Sequence, residues 1–394
     1  NLAAYTEKSS EGVYSMQGAA TCVDNSTGNV VAIVGSRSQE DIKGYVLNRA
    51  YQSYRQPGSC IKPLNVYTPY LQLGNTPDTK VTDSQIDGGP ANADASYAGE
   101  MTLTDAVKWS KNTVAWNIYQ QITPKTGSSF LIKMGFHKIW VDKDYNAGAL
   151  GGFTYGVTTE EMAGGYAALA NDGVYRKATC IRLIVDASNK TVVNETNRDS
   201  KVYDKSASRM MTQMLREVVL SGTGTSANVE NAVVAGKTGT TNASKDVWFC
   251  GYSKYYTTTV WAGYDYPKEM SGVNSRVNAI FKDFMTAVHT NLPVTDFSTV
   301  TQQTTQPETT AAVQEETQSL PQETTAIVPE METTGIEQVT PQQVPSTTAQ
   351  VPTTTPYQRW TTAPAQPKTT APMQYGDIDA TTRTDPDATA RGEW

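Results

Sequence analysis

An α/β chain of the α+β type, with one five-stranded antiparallel sheet flanked by helices and an all-helical lobe, is predicted by the order of its periodic segments. Two alternating, β-branched runs stand near the beginning, and three more follow one another between residues 233 and 263. The stretch between them, from Ser59 to Ser221, is mostly helical in period. Strands from both ends that enclose a helical middle imply a single sheet with helices on its face, and an active site would lie at the seam of sheet and lobe.

Gly18 to Asp24 and Asn29 to Gly35 flank Asn25-Ser26-Thr27-Gly28, a turn composition that joins them as a hairpin. Pro57-Gly58 breaks an extended approach and sets the chain up to enter a helix at Ser59. Pro63 falls in the first turn of that helix and is tolerated there, whereas Pro69 falls deeper and is expected to kink or end it. Helical patterns over Thr104 to Trp109 and Thr113 to Gln121 leave Ser110-Lys111-Asn112 on a connecting loop. Thr158 and Glu161 form a capping box that opens a helix running through Asn171, and Gly173 stops it. Asp204 to Leu220 gives another helix. Val233 to Thr238, Val247 to Tyr252 and Thr258 to Gly263 read as three successive strands. The last helix, Arg276 to His289, carries Val277, Ile280, Phe281, Phe284 and Val288 on one face.

From about Thr299 the 394-residue chain changes character. This part holds eleven of the nineteen Pro, no Cys or Phe, and a near-repeat in Pro307-Glu308-Thr309-Thr310, Gln322-Glu323-Thr324-Thr325 and Met331-Glu332-Thr333-Thr334. Such a composition buries too little apolar surface to offset chain entropy, so residues 299–394 read as a disordered Thr/Pro/Gln-rich tail. Residues 16–298 read as the folded domain and 1–15 as the remnant of a linker. The tail carries twelve acidic against four basic residues, a net −8, which leaves the remainder of the −7 chain near neutral at +1. No basic run interleaved with aromatics occurs, so a nucleic-acid partner is not expected. With no apolar run of transmembrane length, no signal peptide and Asn1 in place of an initiator Met, the chain reads as a fragment whose export or anchoring segment lies upstream.

Only His137 and His289 are available as imidazole ligands, and Cys22, Cys60, Cys180 and Cys250 lack Cys-x-x-Cys spacing. Neither a metal site, a redox dithiol nor any cofactor is supported. The cysteines read as buried free thiols, with disulfides as the competing reading.

Three short segments carry chemistry: Ser59-Cys60-Ile61-Lys62, Ser110-Lys111-Asn112 and Lys237-Thr238-Gly239-Thr240-Thr241. Serine is a weak nucleophile without a neighbouring base, and a Lys three residues along a helix lies on the same face, so Lys62 is the candidate activator of Ser59. The Ser-x-x-Lys pair occurs once in the chain. At a helix N-terminus the unpaired backbone N–H groups and the dipole favour a developing oxyanion. Taken alone, Ser59 reads more simply as an N-cap and Lys237-Thr238-Gly239 as an exposed edge strand, and Ser110-Lys111-Asn112 reads as an ordinary helix break. Three motifs in this order narrow the choice.

Together with Asn48-Arg49-Ala50, Arg55-Gln56-Pro57-Gly58, Leu150-Gly151-Gly152-Phe153-Thr154-Tyr155-Gly156-Val157, Asp246-Val247-Trp248-Phe249 and Val260-Trp261-Ala262-Gly263-Tyr264, they resemble the transpeptidase domain of class A penicillin-binding proteins over residues 16–290. The resemblance implies the serine β-lactamase/D,D-peptidase type of fold. It also implies that a glycosyltransferase domain and a membrane anchor, absent here, precede this one in the parent chain, which would work outside the cytoplasm.

By the same resemblance Ser59 attacks the penultimate D-alanine carbonyl of a peptidoglycan stem peptide, or a β-lactam, and a neutral Lys62 takes its proton. Burial near Lys237 would depress the Lys62 pKa as this requires. Ser110 would relay a proton to the leaving D-alanine, and Asn112 would hold Lys62 and the substrate backbone. Lys237, Thr238 and Thr240 would bind the substrate carboxylate, Thr238 and Thr240 sharing one strand face, while Gly239 leaves room for close backbone approach. The N–H groups of Ser59 and Thr240 would form an oxyanion hole. Cys60 has no role in this reading. Other proteins of cell-wall synthesis are expected as partners.

A D,D-carboxypeptidase would differ only in letting water resolve the acyl-enzyme. A serine β-lactamase would need a Glu followed four residues on by Asn, and Glu160 and Glu161 are followed at that spacing by Gly164 and Gly165. A β-lactam sensor or peptidoglycan-binding module is the non-enzyme alternative. A pseudoenzyme of that kind is expected to have lost one of Ser59, Lys62, Ser110 or Lys237, and all four are present.

Overall fold

The computed structural model describes residues 2–10, 12–37, 46–194 and 199–298. The tail expected over 299–394 lies outside the described residues. The strands in chain order are β1 (Met16–Asp24), β2 (Val30–Val34), β3 (Lys80–Asp83), β4 (Gly99–Thr102), β5 (Val174–Tyr175), β6 (Leu183–Val185), β7 (Thr191–Asn194), β8 (Ser200–Lys201), β9 (Ala235–Thr240), β10 (Asp246–Tyr252) and β11 (Tyr256–Tyr264). The α-helices are α1 (Arg49–Gln52), α2 (Thr68–Leu71), α3 (Leu103–Lys108), α4 (Asn112–Ile122), α5 (Pro124–Lys133), α6 (Thr159–Ala170), α7 (Lys205–Ser221) and α8 (Val273–Val288).

The expected sheet forms, antiparallel throughout, in the order β2-β1-β11-β10-β9. Every residue of β10 is buried because both of its faces are covered. Trp248, Cys250 and Tyr252 join the core shared with the helical lobe, while Phe249 packs at 4.6 Å between ring centroids on Phe281 of α8. Alternation along one strand thus supplies two cores. Ahead of β1, Leu2 and Tyr5 pack against the cluster under α8, and Tyr5 Oη donates to the Ser271 carbonyl at 2.8 Å.

The capping box at Thr158 and Glu161 opens α6 as its sequence requires, and α7 and α8 match the periodic segments. The middle is less purely helical than its pattern. Three two-stranded pieces, β3–β4, β5–β8 and β6–β7, interrupt it, each too short to announce itself against the surrounding turn residues. Cys22, Cys60 and Cys250 are buried free thiols as expected, whereas Cys180 is free but exposed.

The segment after Ser59 is not a plain α-helix. It begins as a 3₁₀ turn over Gly58–Ile61, widens to a π turn over Pro63–Tyr67 and becomes α2. Pro69 was expected to kink or end the helix, and the π turn before it resolves that conflict. In a regular α-helix the Pro69 ring would press on the Asn65 carbonyl, and the wider turn relieves this, with the Thr68 N–H bonded to the Pro63 carbonyl. The helix ends two residues later at Leu71. Two carbonyls in the irregular stretch are met from the lobe: Tyr166 Oη donates to Cys60 O at 2.6 Å, and Tyr203 Oη to Leu64 O at 2.5 Å.

Candidate active site

The approach to Ser59 is clamped from three directions. The Arg55 N–H donates to the Val157 carbonyl and the Val157 N–H to the Arg55 carbonyl, both at 2.8 Å, and the Phe153 N–H donates to the Gln56 side-chain carbonyl at 2.7 Å. The Arg55 guanidinium pairs with the buried Asp246 carboxylate at 2.8 Å, which also accepts from the Trp261 indole at 3.0 Å. The Trp248 indole donates to the Gln56 carbonyl at 2.8 Å. These bonds tie β10, β11 and the 150–157 loop to the residues that deliver Ser59, and explain why segments so far apart in sequence accompany the three motifs.

Gly58 has φ +52°, a backbone state that any other residue enters with strain, and a Cβ on it would lie 2.7 Å from the Thr240 carbonyl oxygen. From the strand side, a Cβ on Gly239 would lie 2.4 Å from the Pro57 carbonyl oxygen and 2.8 Å from Cys60 Sγ. The nucleophile turn and β9 therefore meet backbone to backbone. Cys60 faces β9, its thiol 3.1 Å from the Lys237 carbonyl. Ser59 is half-buried, and across a 3₁₀ turn residues three apart eclipse, so Ser59 and Lys62 lie on one side of it.

Lys62 has no exposed surface. Its Nζ donates to the Asn112 side-chain carbonyl at 2.7 Å and to the Ser110 backbone carbonyl at 3.0 Å. Burial, reinforced by the positive charge of Lys237, pushes its pKa well below the ordinary lysine value. Lys237, equally buried, donates to Ser110 Oγ at 2.8 Å and to the Thr238 carbonyl at 3.1 Å, and burial lowers its pKa to about 8.

Ser110 joins the two lysines, one through its carbonyl and one through its hydroxyl. It holds φ +60°, one of the few non-glycine residues in the left-handed region, and its N–H closes α3 by donating to the Val107 carbonyl at 3.1 Å. That turn separates its carbonyl from the α3 ladder and frees it for Lys62.

Lys237 and Gly239 face the Ser59 turn, whereas Thr238 and Thr240 share the opposite strand face, as strand alternation requires. Thr238 Oγ1 lies 2.8 Å from Thr223 Oγ1, and Thr240 Oγ1 donates to the Asn274 side-chain carbonyl at 3.3 Å. β9 is the edge of the sheet, yet its Lys is fully buried, which an ordinary solvated edge does not allow. Ser59, Lys62, Ser110, Asn112 and Lys237 thus come from three distant segments to one seam. Sequence reasoning missed Asp83 and Asn92, which hold the 110–112 segment from behind, Asp83 through Lys111 and Thr113 and Asn92 through the Asn112 and Thr113 N–H groups. They carry no local signal, since Asp83 to Ala95 reads as an ordinary polar loop.

The model of the penicillin binding protein transpeptidase domain family matches residues 18–286, which include every one of these side chains. The chain belongs to that family. Among relatives, this transpeptidase domain is 33% identical over 312 residues to penicillin-binding protein 1A of Clostridium acetobutylicum, covering 75% of this chain and 38% of the relative. It is 35% identical to penicillin-binding protein 1F of Bacillus subtilis, covering 68% and 38%, and 36% identical to penicillin-binding protein 1A of Aquifex aeolicus, covering 72% and 39%. The chain spans about two fifths of the length of the curated relatives it matches.

Two solved structures share the fold. Penicillin-binding protein 1A from Haemophilus influenzae superposes with a TM-score of 0.60 at 24% identity, covering 74% of this chain and 51% of that one. PonA1 from Mycobacterium tuberculosis, in complex with penicillin V, superposes at 0.61 and 21% identity, covering 75% and 83%. Among the described residues of the transpeptidase domain no helix is long and apolar enough to cross a membrane.

Proposed function

We propose that this transpeptidase domain cross-links peptidoglycan stem peptides through an acyl-enzyme on Ser59 and is inhibited by β-lactams at the same atom. One observation carries the reading: the fully buried Lys62 spends two N–H bonds on Ser110 O and Asn112 Oδ1. A neutral amine has two N–H bonds and one lone pair, so the lone pair remains to accept the Ser59 hydroxyl proton. In the first step Ser59 Oγ bonds to the penultimate D-alanine carbonyl carbon while its proton passes to Lys62 Nζ. The carbon–nitrogen bond to the terminal D-alanine then breaks, and the departing amine takes a proton through Ser110 Oγ. In the second step an amine of a neighbouring stem peptide attacks the ester, and Ser59 regains its proton as the new amide forms.

The substrate carboxylate binds at the edge of the sheet, met by Lys237 from the buried side of β9 and by Thr238 and Thr240 from its more exposed side, and the backbone N–H groups of Ser59 and Thr240 hold the oxyanion, worth about 3 kcal/mol per donor. The abutment of Gly58 and Thr240 supports that pairing. No step assigned to these residues calls for a cofactor or metal. The penicillin V complex of PonA1 supports β-lactam binding at a fold of this kind. Stem peptides lie outside the cytoplasm, so that is the compartment this reading requires, with other cell-wall synthesis proteins as partners. We take residues 16–298 as the catalytic unit, 1–15 as linker and 299–394 as a Thr/Pro/Gln-rich tail.

Hydrolysis by water, a carboxypeptidase outcome, differs only in the second nucleophile. Rapid clearance of a β-lactam ester is not expected. The Glu161 carboxylate is committed to the Thr158 cap and to the N–H and ring of His137, and Glu160 lines a cavity of about 470 Å³ with Tyr51, Tyr54 and Tyr175. The test is incubation with a D-Ala-D-Ala stem peptide and an amine acceptor. D-Alanine release with a cross-linked product, both abolished in Ser59→Ala, is expected; release that survives Ser59→Ala would refute the assignment.

A further inference from the structure

The 110–112 segment is held from behind by residues that no motif includes. The Asn92 side-chain carbonyl accepts from the Asn112 N–H at 2.7 Å and the Thr113 N–H at 3.3 Å, capping α4 from twenty residues upstream. Lys111, the N-cap residue of α4, offers no side-chain cap itself. The Asn92 amide nitrogen donates to Asp83 Oδ1 at 2.6 Å and the Ser96 carbonyl at 2.8 Å, which fixes which way its carbonyl points.

Asp83, at the end of β3, is fully buried. It accepts from Thr113 Oγ1 at 2.5 Å, Asn92 Nδ2 at 2.6 Å and the Ala98 N–H at 2.9 Å, and its other close partner is Lys111 Nζ at 3.3 Å. Burial alone would raise its pKa, but these donors outweigh burial and hold the carboxyl below the usual range. Lys111 also reaches Asp94 at 3.0 Å. Asn112 Nδ2 donates to the Ala91 carbonyl at 2.9 Å, leaving Oδ1 turned toward Lys62. The two acceptors of Lys62 therefore sit on a segment whose backbone is held by Asn92 and Asp83 and whose Asn112 side chain is turned by the adjoining Ala91 carbonyl.

We propose that Asp83 and Asn92 are positioning residues for Lys62, acting through Ser110 and Asn112 and touching neither substrate nor Ser59. Lys62 must be held with both N–H bonds on their acceptors for its lone pair to serve Ser59, and loss of the Asn92 cap would let the 110–112 turn drift. This rests on the acyl-enzyme reading above. Misplacement of a catalytic group by about 1 Å can cost a hundredfold in rate, so the effect falls on acylation and not on noncovalent binding.

The test is the second-order rate constant for acylation by a fluorescent penicillin across pH, measured for wild type and Asn92→Ala and referred to the folded fraction from circular dichroism. Asn92→Ala is expected to slow acylation about 10- to 100-fold per folded molecule and to displace the rising limb of the pH–rate profile that reports Lys62. An unchanged rate per folded molecule, or a slower rate with an unmoved limb, overturns the proposal. Where Asn92→Ala does not fold, the exchanged pair Asp83→Asn with Asn92→Asp decides. It keeps an acceptor against the Asn112 and Thr113 N–H groups and one carboxylate in the cluster. Rates within about threefold of wild type support positioning through that acceptor, and a loss as large as in the single variant Asn92→Asp, which places two carboxylates side by side, contradicts it. Absence of wild-type labelling at Ser59 would instead refute the acyl-enzyme reading.

Discussion

Lys237 donates to the Ser110 hydroxyl at 2.8 Å from a position with no exposed surface, and the carbonyl of the same Ser110 takes a bond from Lys62 at 3.0 Å. Two buried lysines on one serine cannot both hold a proton cheaply, and the Lys62 pKa falls by burial and by the Lys237 charge. The pair divides into a base and a counter-charge.

That division separates by substrate charge. Lys237→Ala is expected to slow acylation by carboxylate-bearing substrates much more than by their esterified analogues, because it removes the counter-charge. Lys62→Ala should slow both alike. Second-order acylation rates for the two substrate types measure this, and equal slowing in Lys237→Ala would assign Lys237 to tuning Lys62 instead.

The same division fixes a pH profile. Acylation requires neutral Lys62, so the rate rises as pH climbs through its depressed pKa; it requires protonated Lys237, so the rate falls as pH passes about 8. A bell with its alkaline limb near 8 is expected for a carboxylate-bearing penicillin, and for an ester analogue the alkaline limb should vanish.

Gly239→Ala tests the backbone abutment. Its Cβ would lie 2.4 Å from the Pro57 carbonyl oxygen, so strand and nucleophile turn must separate. Such overpacking costs about 1–3 kcal/mol, and a drop in melting temperature with slower acylation is the expected pair of results. A wild-type acylation rate would show that the turn tolerates displacement from β9.

Deletion of residues 299–394 is expected to leave the melting transition and the acylation rate nearly unchanged, since their composition argues against a core. Calorimetry and penicillin labelling of the truncated chain measure both, and a large fall in either would show that the tail supports the domain.

How much of this was legible in the sequence depends on the range of the interaction. The five strands, the Thr158–Glu161 cap and the α8 stripe are local patterns, and they appear where periodicity puts them. Pro69 gave a true local conflict, but its resolution as a π turn was not readable, because the Cys60 and Leu64 carbonyls of the irregular stretch are met by residues distant in sequence, Tyr166 of α6 and Tyr203 just ahead of α7. The motifs also need their context. Lys-Thr-Gly occurs twice, and at Lys125–Gly127 it lies in the helix α5, where Gly127 packs on Tyr119, whereas Lys237–Gly239 lies on the strand β9 against the Ser59 turn. Asp83 and Asn92 were invisible because their partners lie twenty to thirty residues away across a polar loop.

The most direct measurement is intact-mass spectrometry after exposure to penicillin, followed by peptide mapping. One stable adduct of a single penicillin on the peptide containing Ser59, absent in Ser59→Ala, is the predicted result, since Glu161 is committed to the Thr158 cap and His137 and Glu160 lines the cavity with Tyr51, Tyr54 and Tyr175. An adduct on another residue, or release within seconds, would contradict it.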